Sequence, residues 1–338
     1  VDAETITARI LVGGPLTSHK GINLPNTPIK APILSRKDRA DLLFGLSQGV
    51  DYVAVSFVRN PDDIREVRSF LKHEVGNPKP VPLIAKIEKY EALDCFSEIL
   101  ESVEGIMVAR GDLGVEIPVE QVPRRQKRII EETNWAGKPV ITATQMLKSM
   151  VEQPRPTRAE VSDVANAILD GSNGIMLSEE TAAGRYPVES VKMMSKIARD
   201  IETIFPFNAW KHHYTAGGRL SPEEAVAKAS CEMAESIDAG AIITCTLSGS
   251  TTHLIAKYRP RRPIIAATPD PHTYRRLALV WGCIPRAIQN RNVDDVEEES
   301  IALALQQKLL KKGDRVVITA GLPLDMPGTT NLIKVSVA

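Results

Sequence analysis

The sequence lacks the marks of several specialised classes. It has only four cysteines, at 95, 231, 245 and 283, and no CxxC pair among them. That spacing suggests neither a zinc site nor a disulfide framework, and fits the reduced thiols of a cytoplasmic protein. Net charge is also missing: 42 basic residues balance 42 acidic ones, so charge gives no argument for nucleic acid or membrane partners. No apolar run is long enough to span a bilayer, and no signal-peptide pattern precedes the first domain. There is no internal repeat and no low-complexity tract. The first residue is Val1 rather than Met, inside a strand-like stretch, and the expectation is that the natural beginning lies upstream.

What is present is ordinary globular composition, 43% hydrophobic and 25% charged, with a length that suggests about two domains. From Ser35 to Glu202 strand and helix signals alternate. Ser35 with Asp38 starts a helix, Asn60-Pro61 starts another, Thr157 with Glu160 forms a capping box, and Pro187 opens a helix reaching Ile201. Between these lie short apolar runs at Tyr52–Val58, Pro82–Glu88, Gly105–Ala109, Val140–Thr144 and Gly174–Ser178. Continuous apolar strands of this kind are buried on both faces of a parallel sheet, in a doubly wound fold or a (β/α)8 barrel; periodicity does not choose between them. Five strands do not close an eight-stranded barrel, so a barrel requires three more upstream. Before this region, Ile6–Val12 alternates and Gly13-Gly14 turns the chain, as in the end of a small β domain. After it, Phe205–Gly218 reads as an irregular linker. Ser221-Pro222-Glu223-Glu224 then starts an α/β domain with strand-like runs at Ala241–Thr246, Pro263–Thr268, Arg315–Ala320 and Asn331–Val337.

In parallel α/β folds the reactive groups sit at the carboxyl ends of the strands. Alternation puts Lys86 and Glu88 on one face, an ammonium for phosphoryl charge beside a carboxylate for a divalent metal, or simply an ion pair. The run Met107–Ala109 ends in Arg110-Gly111-Asp112; the glycine permits close backbone approach, and Asp112 is either a hard-cation ligand or a turn cap. Thr142 and Thr144 share a face at the end of a third strand, where a hydroxyl binds substrate, relays a proton or only packs. Together these residues bring a cation, two carboxylates and a hydroxyl to successive strand ends.

The stretches LIAKIEKYEAL, GIMVARGDLGVEIP, GKPVITATQML and PRPTRAEVSDVANAILDGSNGIMLSEETAAGRYP closely resemble the pyruvate kinase family, and the resemblance runs through essentially the whole chain. GGPLTSHKGINLPN resembles the end of that family's β lid, and TLSGSTTHLIAKYRPRRPIIAAT and GTTNLIKV its C-terminal regulatory domain. The resemblance implies an α/β protein: a (β/α)8 TIM barrel lacking its first three strands at 29–205, a lid remnant at 1–28, a linker at 206–220 and a C-terminal α/β domain at 221–338. It implies transfer of the phosphoryl group of phosphoenolpyruvate to ADP, giving pyruvate and ATP, with Mg²⁺ or Mn²⁺ and K⁺. Lys86 then stabilises the transferring group, Glu88 and Asp112 hold the divalent metal, and Gly111 and Asp112 offer N–H groups to the substrate carboxylate. Thr144 also contacts substrate, and Lys20 approaches the nucleotide. The family's phosphate-gripping arginine and K⁺ ligands belong to the strands that have no counterpart here, so this chain alone is expected to be incompetent.

The resemblance further implies a homotetramer and a sugar-phosphate effector. Thr246, Ser248, Gly249, Ser250 and Thr251, between a strand and a helix, form a phosphate cradle or an ordinary capped turn. Leu247 stands where some relatives that bind fructose 1,6-bisphosphate have lysine. Arg259, Arg261 and Arg262 read as a solvated helix end or a subunit contact. Glu179 replaces a family glycine beside the last barrel strand and is expected to crowd a turn or add charge. Two other readings are a non-catalytic fragment serving assembly or effector binding, and a different barrel enzyme acting on a related keto acid.

Overall fold

In the computed structural model the apolar runs become two five-stranded sheets. It describes residues 5, 7–15, 18, 21–22, 24–25, 27, 31–75, 81–213, 219–289, 293–322 and 328–338. The first sheet contains β1 (Val53–Val55), β2 (Leu83–Ile87), β3 (Gly105–Ala109), β4 (Val140–Ala143) and β5 (Gly174–Met176). All its pairings are parallel, and its order is β1-β2-β3-β4-β5. An order that never reverses is the winding of consecutive barrel strands, not of a doubly wound sheet. The second sheet contains β6 (Ala241–Cys245), β7 (Ile264–Thr268), β8 (Cys283–Ala287), β9 (Arg315–Ala320) and β10 (Leu332–Val337). Its order, β10-β9-β6-β7-β8, does reverse, with the switch between β6 and β9 and only β10 antiparallel, at an edge.

Alternation divides the first sheet cleanly. Leu83, Ala85, Ile87, Ile106, Val108 and Val140 face the helices and pack on Ile64, Val67, Ile99, Ile129 and Ile130. The opposite face carries Ile84, Met107 and Ala143, with Tyr52, Ile141 and Met176 beside them. Lys86 continues this second face toward the carboxyl ends. The helix starts are those the sequence signals. Ser35/Asp38, Thr157/Glu160 and Ser221/Glu224 form reciprocal capping boxes, and the Asn60 side chain accepts from the Asp62 and Asp63 N–H groups at 2.9 and 3.2 Å. Each such cap contributes about 1 kcal/mol.

Three expectations change. The described residues between 7 and 12 form no strand, and Ile10, Leu11 and Val12 are 81, 85 and 90% exposed. Among the described residues no strand lies beside this segment, and an extended chain without a ladder partner is not a strand. The expected linker contains a helix, Phe207–His213, because Phe205, Phe207 and Trp210 cluster with Trp281 at ring separations of 5.0 to 6.1 Å. Strand β8 is not among the runs read in the sequence; it carries Pro285 and lies at the sheet edge, where proline is tolerated. No helix among the described residues is long and apolar enough to cross a membrane.

The basic run splits by environment. Arg261 is exposed and Arg262 pairs with Asp238, but Arg259 is 1% exposed. Its Nη2 donates to Gly171 O at 2.6 Å and Asn134 Oδ1 at 2.9 Å, and its guanidinium lies 5.4 Å from the Trp210 ring and 4.8 Å from that of Trp281. This residue joins the second sheet's layer to the loops at the foot of the first. Nearby, Arg275 pairs with Asp51 at 2.8 Å and the Tyr52 hydroxyl donates to Arg276 O at 3.4 Å. Gly171 is what lets Trp210 in: its φ is +102°, and a Cβ there would fall 2.1 Å from the indole. Gly171→Ala is therefore expected to destabilise the chain by about 3 kcal/mol, from backbone strain and overpacking together. Urea denaturation checks this; an unshifted midpoint would mean the indole does not pack there.

Candidate active site at the carboxyl ends of the first sheet

Parallel register sets the site. Val55 pairs with Ala85, Ile87 with Val108, and Ala109 with Ala143, so Ser56, Glu88, Arg110 and Thr144 all follow their strands at one end of the sheet. Lys86 donates to Ser56 Oγ at 2.8 Å and lies 2.6 Å from Glu88 Oε1. Glu88 is 1% exposed, and its other oxygen accepts from the Phe57 N–H at 2.6 Å. That N–H is aimed by a left-handed backbone, φ 55°, at a bulky residue, a costly conformation outside glycine. The first strand end thus grips both charged groups of the second.

A cavity of about 320 Å³ opens beside this pair. Ser56, Phe57, Glu88, Asp112 and the buried ion pair Lys89–Glu116, 2.6 Å apart, line it. Lys86 joins its rim through Ser56 and Glu88. Two acceptors have no hydrogen bond. Glu88 Oε1 is held by the Lys86 ammonium at 2.6 Å as an ion pair rather than a hydrogen bond, and Glu116 Oε2 has no hydrogen bond among the described residues. Among the described residues the Asp112 side chain makes neither a hydrogen bond nor an ion pair. Carboxylate oxygens without a full set of hydrogen bonds, beside a carboxylate with no partner among the described residues, in one cavity suit a hard divalent cation, which takes one or two protein carboxylates and completes its shell with other oxygens. Glu88 and Asp112 therefore fit such an ion.

Thr144 departs from the alternation that pairs it with Thr142. Thr142 is buried on the helix side and bonds Ser172 at 2.7 Å. Thr144 has φ 72°, rare for a β-branched residue, and this turn brings its Oγ1 to the Gly111 N–H at 2.7 Å. That N–H, expected to be free for a substrate carboxylate, is engaged by Thr144. Asp112 belongs to the helix Arg110–Glu116, which the sequence pattern did not mark. Lys20 lies outside the described residues. Of the two effects expected of Glu179, the turn needs no left-handed backbone at this residue, which opens the helix Glu179–Ala182, and the added carboxylate pairs with Lys148.

The second cluster is separate, at the carboxyl end of β6. Thr246 is buried and its Oγ1 accepts from the Gly249 N–H at 2.9 Å; Thr251 is buried against Thr330 at 2.9 Å. Their hydroxyls serve the loop, which leaves Ser248 exposed and Ser250 half-buried at its surface. Gly249, with φ +91°, caps the helix Ser250–Lys257.

Ser56, Phe57, the Lys89–Glu116 pair and Arg110 are site residues the sequence reasoning passed over. Arg110 directly follows the apolar run Gly105–Ala109, where the strand-end rule applies; Ser56 reads as interior to the run Tyr52–Val58 and becomes a strand-end residue only because β1 stops at Val55. Nothing in the sequence reports the left-handed turn at Phe57.

The loop after Thr144 is tied down by Glu180 and Glu160. Glu180 accepts from the N–H groups of Leu147 and Ser178 at 3.0 and 2.9 Å. Glu160 accepts from the Ser149 N–H and Oγ, both at 2.6 Å, and from the Thr157 N–H and Oγ1 at 2.8 and 2.9 Å. Burial pushes the Glu160 carboxyl up, but these donors outweigh it and hold it below glutamate's ordinary 4.5. Folding therefore favours the ionised form. The contribution is complete above pH 4.5 and is lost as the pH falls through the lower folded value. Glu160→Gln is expected to lower Tm at neutral pH and to flatten the decline in acid. Melting curves of both proteins across pH check this, and parallel profiles contradict it.

The sequence matches the family descriptions "Pyruvate kinase, barrel domain" over residues 1–191 and "Pyruvate kinase, alpha/beta domain" over residues 224–336. "Pyruvate kinase" of Geobacillus stearothermophilus is 47% identical over 336 residues, covering 99% of this chain and 57% of the relative. "Pyruvate kinase 2" of Synechocystis sp. is 48% identical over 338 residues, covering 99% and 56%. "Pyruvate kinase" of Clostridium acetobutylicum is 42% identical over 339 residues, covering 100% and 71%. The chain spans somewhat more than half the length of the first two of these curated relatives. Both sheets and the strand-end cluster fall within the matched residues, and the chain belongs to the pyruvate kinase family.

Proposed function

We propose that this chain carries the phosphoryl-transfer centre of a pyruvate kinase, acting on phosphoenolpyruvate and ADP. The observation that carries the reading is the shared cavity of Glu88 and Asp112, with Lys86 bonded to two of its lining residues, Ser56 and Glu88. Phosphoryl transfer needs little covalent chemistry from the protein; positioning and charge stabilisation dominate. Lys86 supplies a fixed ammonium for the oxygens of the transferring group. Its hydrogen bond to Ser56 and its ion pair with Glu88 hold it in one place before substrate arrives, so no reorganisation is needed during transfer. Glu88 and Asp112 are the residues that would hold Mg²⁺ or Mn²⁺. Such an ion, when bound, neutralises charge on phosphoryl and enolate oxygens. The Thr144 hydroxyl, hydrogen-bonded to the backbone of Gly111, stands at the same strand ends as a substrate contact.

The wider assembly belongs to the same reading: a lid remnant at 1–28, barrel residues 29–205, a linker at 206–220, a regulatory domain at 221–338, K⁺ dependence and a homotetramer. A sugar-phosphate effector on the loop Thr246–Thr251 is supported by its place beside the β6/β9 switch point, since open α/β sheets bind ligands in such crevices. Ser248 and Ser250 are its accessible hydroxyls.

Pyruvate release from phosphoenolpyruvate and ADP, followed in a coupled assay with Mg²⁺ present, tests the reading. Turnover is expected of a protein that joins this chain to the remaining barrel strands, and Lys86→Met in that protein is expected to lower kcat by about 1,000-fold. Absence of turnover in that protein, or full activity in its Lys86→Met variant, would sink the proposal.

A further inference from the structure

We propose that Arg110 is the positioning residue that holds Thr144 in its left-handed conformation and so sets the Thr144–Gly111 contact. This inference rests on the phosphoryl-transfer reading above. Arginine has five N–H donors in a fixed fork. Here each has an acceptor. Nε donates to Ala143 O at 3.3 Å. Nη2 donates to Thr144 O at 2.7 Å and Met146 Sδ at 2.8 Å. Nη1 donates to Asp163 Oδ1 at 2.7 Å and Gln126 Oε1 at 3.4 Å. The side chain is only 10% exposed, so these are not incidental surface contacts.

Three of the five acceptors belong to residues 143–146, the turn that contains two successive left-handed residues, Thr144 at φ 72° and Gln145 at φ 55°. Each such residue costs about 1–3 kcal/mol and persists only where its surroundings over-determine it. The Arg110 fork supplies that determination: it captures the carbonyls on both sides of the Thr144 nitrogen, and Asp163 anchors the charge from the helix Arg158–Leu169. The residue after Arg110 is Gly111, whose N–H meets the Thr144 hydroxyl. One side chain therefore fixes both partners, Gly111 through the backbone and Thr144 through its carbonyl. A lysine ammonium keeps the charge but is a point donor, unable to span these acceptors.

The test compares Arg110→Lys with the unmodified sequence, by amide hydrogen exchange in this chain and by turnover in a protein that joins it to the remaining barrel strands. The Gly111 amide is expected to exchange about tenfold faster in the variant, while Ile106, bonded to Pro139 O at 3.0 Å in β3, keeps its rate. In turnover, kcat falls about 100-fold, the scale of a 1 Å misplacement, with KM for phosphoenolpyruvate changed less than about threefold. Added guanidinium ion restores part of the activity of Arg110→Ala and none to the unmodified chain. Unchanged exchange at Gly111 overturns the inference. So does equal acceleration at Gly111 and Ile106, or a normal kcat beside a loosened Gly111. If Arg110→Lys does not fold, Asp163→Asn is read the same way: a smaller acceleration confined to Gly111 supports the inference and none overturns it. Absence of turnover in the protein carrying all the barrel strands removes the phosphoryl-transfer reading, and Gly111 exchange still decides whether Arg110 holds the turn.

Discussion

The site depends on one buried carboxylate. Taking Glu88 out of water costs several kcal/mol unless its oxygens are met by opposite charge and donors. The chain meets that need unequally. One oxygen receives the Phe57 N–H, which requires a left-handed phenylalanine half exposed at the cavity mouth. The other faces Lys86 without a hydrogen bond along its axis. That incomplete satisfaction is a cost in a purely structural ion pair. It is useful in a site that must accept a cation and release it. The Lys86–Ser56 bond and the left-handed Phe57 both serve to hold this charge in place.

Two winding rules separate the halves of the molecule. The first sheet adds each strand beside the last, so its carboxyl ends form a continuous row, and residues far apart in sequence arrive side by side by register alone. The second sheet reverses after β8, which opens a crevice between β6 and β9 and gives the Thr246 loop its position. The halves meet through Arg259, buried between two indoles and bonded to the loop at Gly171, and through the exposed Arg275–Asp51 pair. Surface pairs contribute about 0–1 kcal/mol, whereas stripping a buried charge of its partners costs about 3–5 kcal/mol, so Arg259 carries most of the joint.

Much of this was legible in the sequence because it obeys local rules. Capping boxes at Ser35, Thr157 and Ser221 start helices where they read, and period-two alternation correctly paired Lys86 with Glu88. What was not legible depends on partners distant in the chain. Alternation placed Thr144 with Thr142, but a left-handed turn held from Arg110 carries Thr144 elsewhere. Arg259 reads as solvated until Trp210 and Trp281 close over it. The helix Phe207–His213 lies in a stretch with weak propensity and is supported by its aromatic contacts. The alternating segment Ile6–Val12 has the pattern of a strand without, among the described residues, a strand to pair with.

The central claim is that Glu88 and Asp112 act together on one divalent ion. Titration of the chain with Mn²⁺, followed by electron paramagnetic resonance, tests it most directly. The account predicts saturable binding of one ion per chain, abolished by Glu88→Gln and by Asp112→Asn while the fold is retained. Binding that survives both substitutions, or no saturable binding in the unmodified chain, contradicts it.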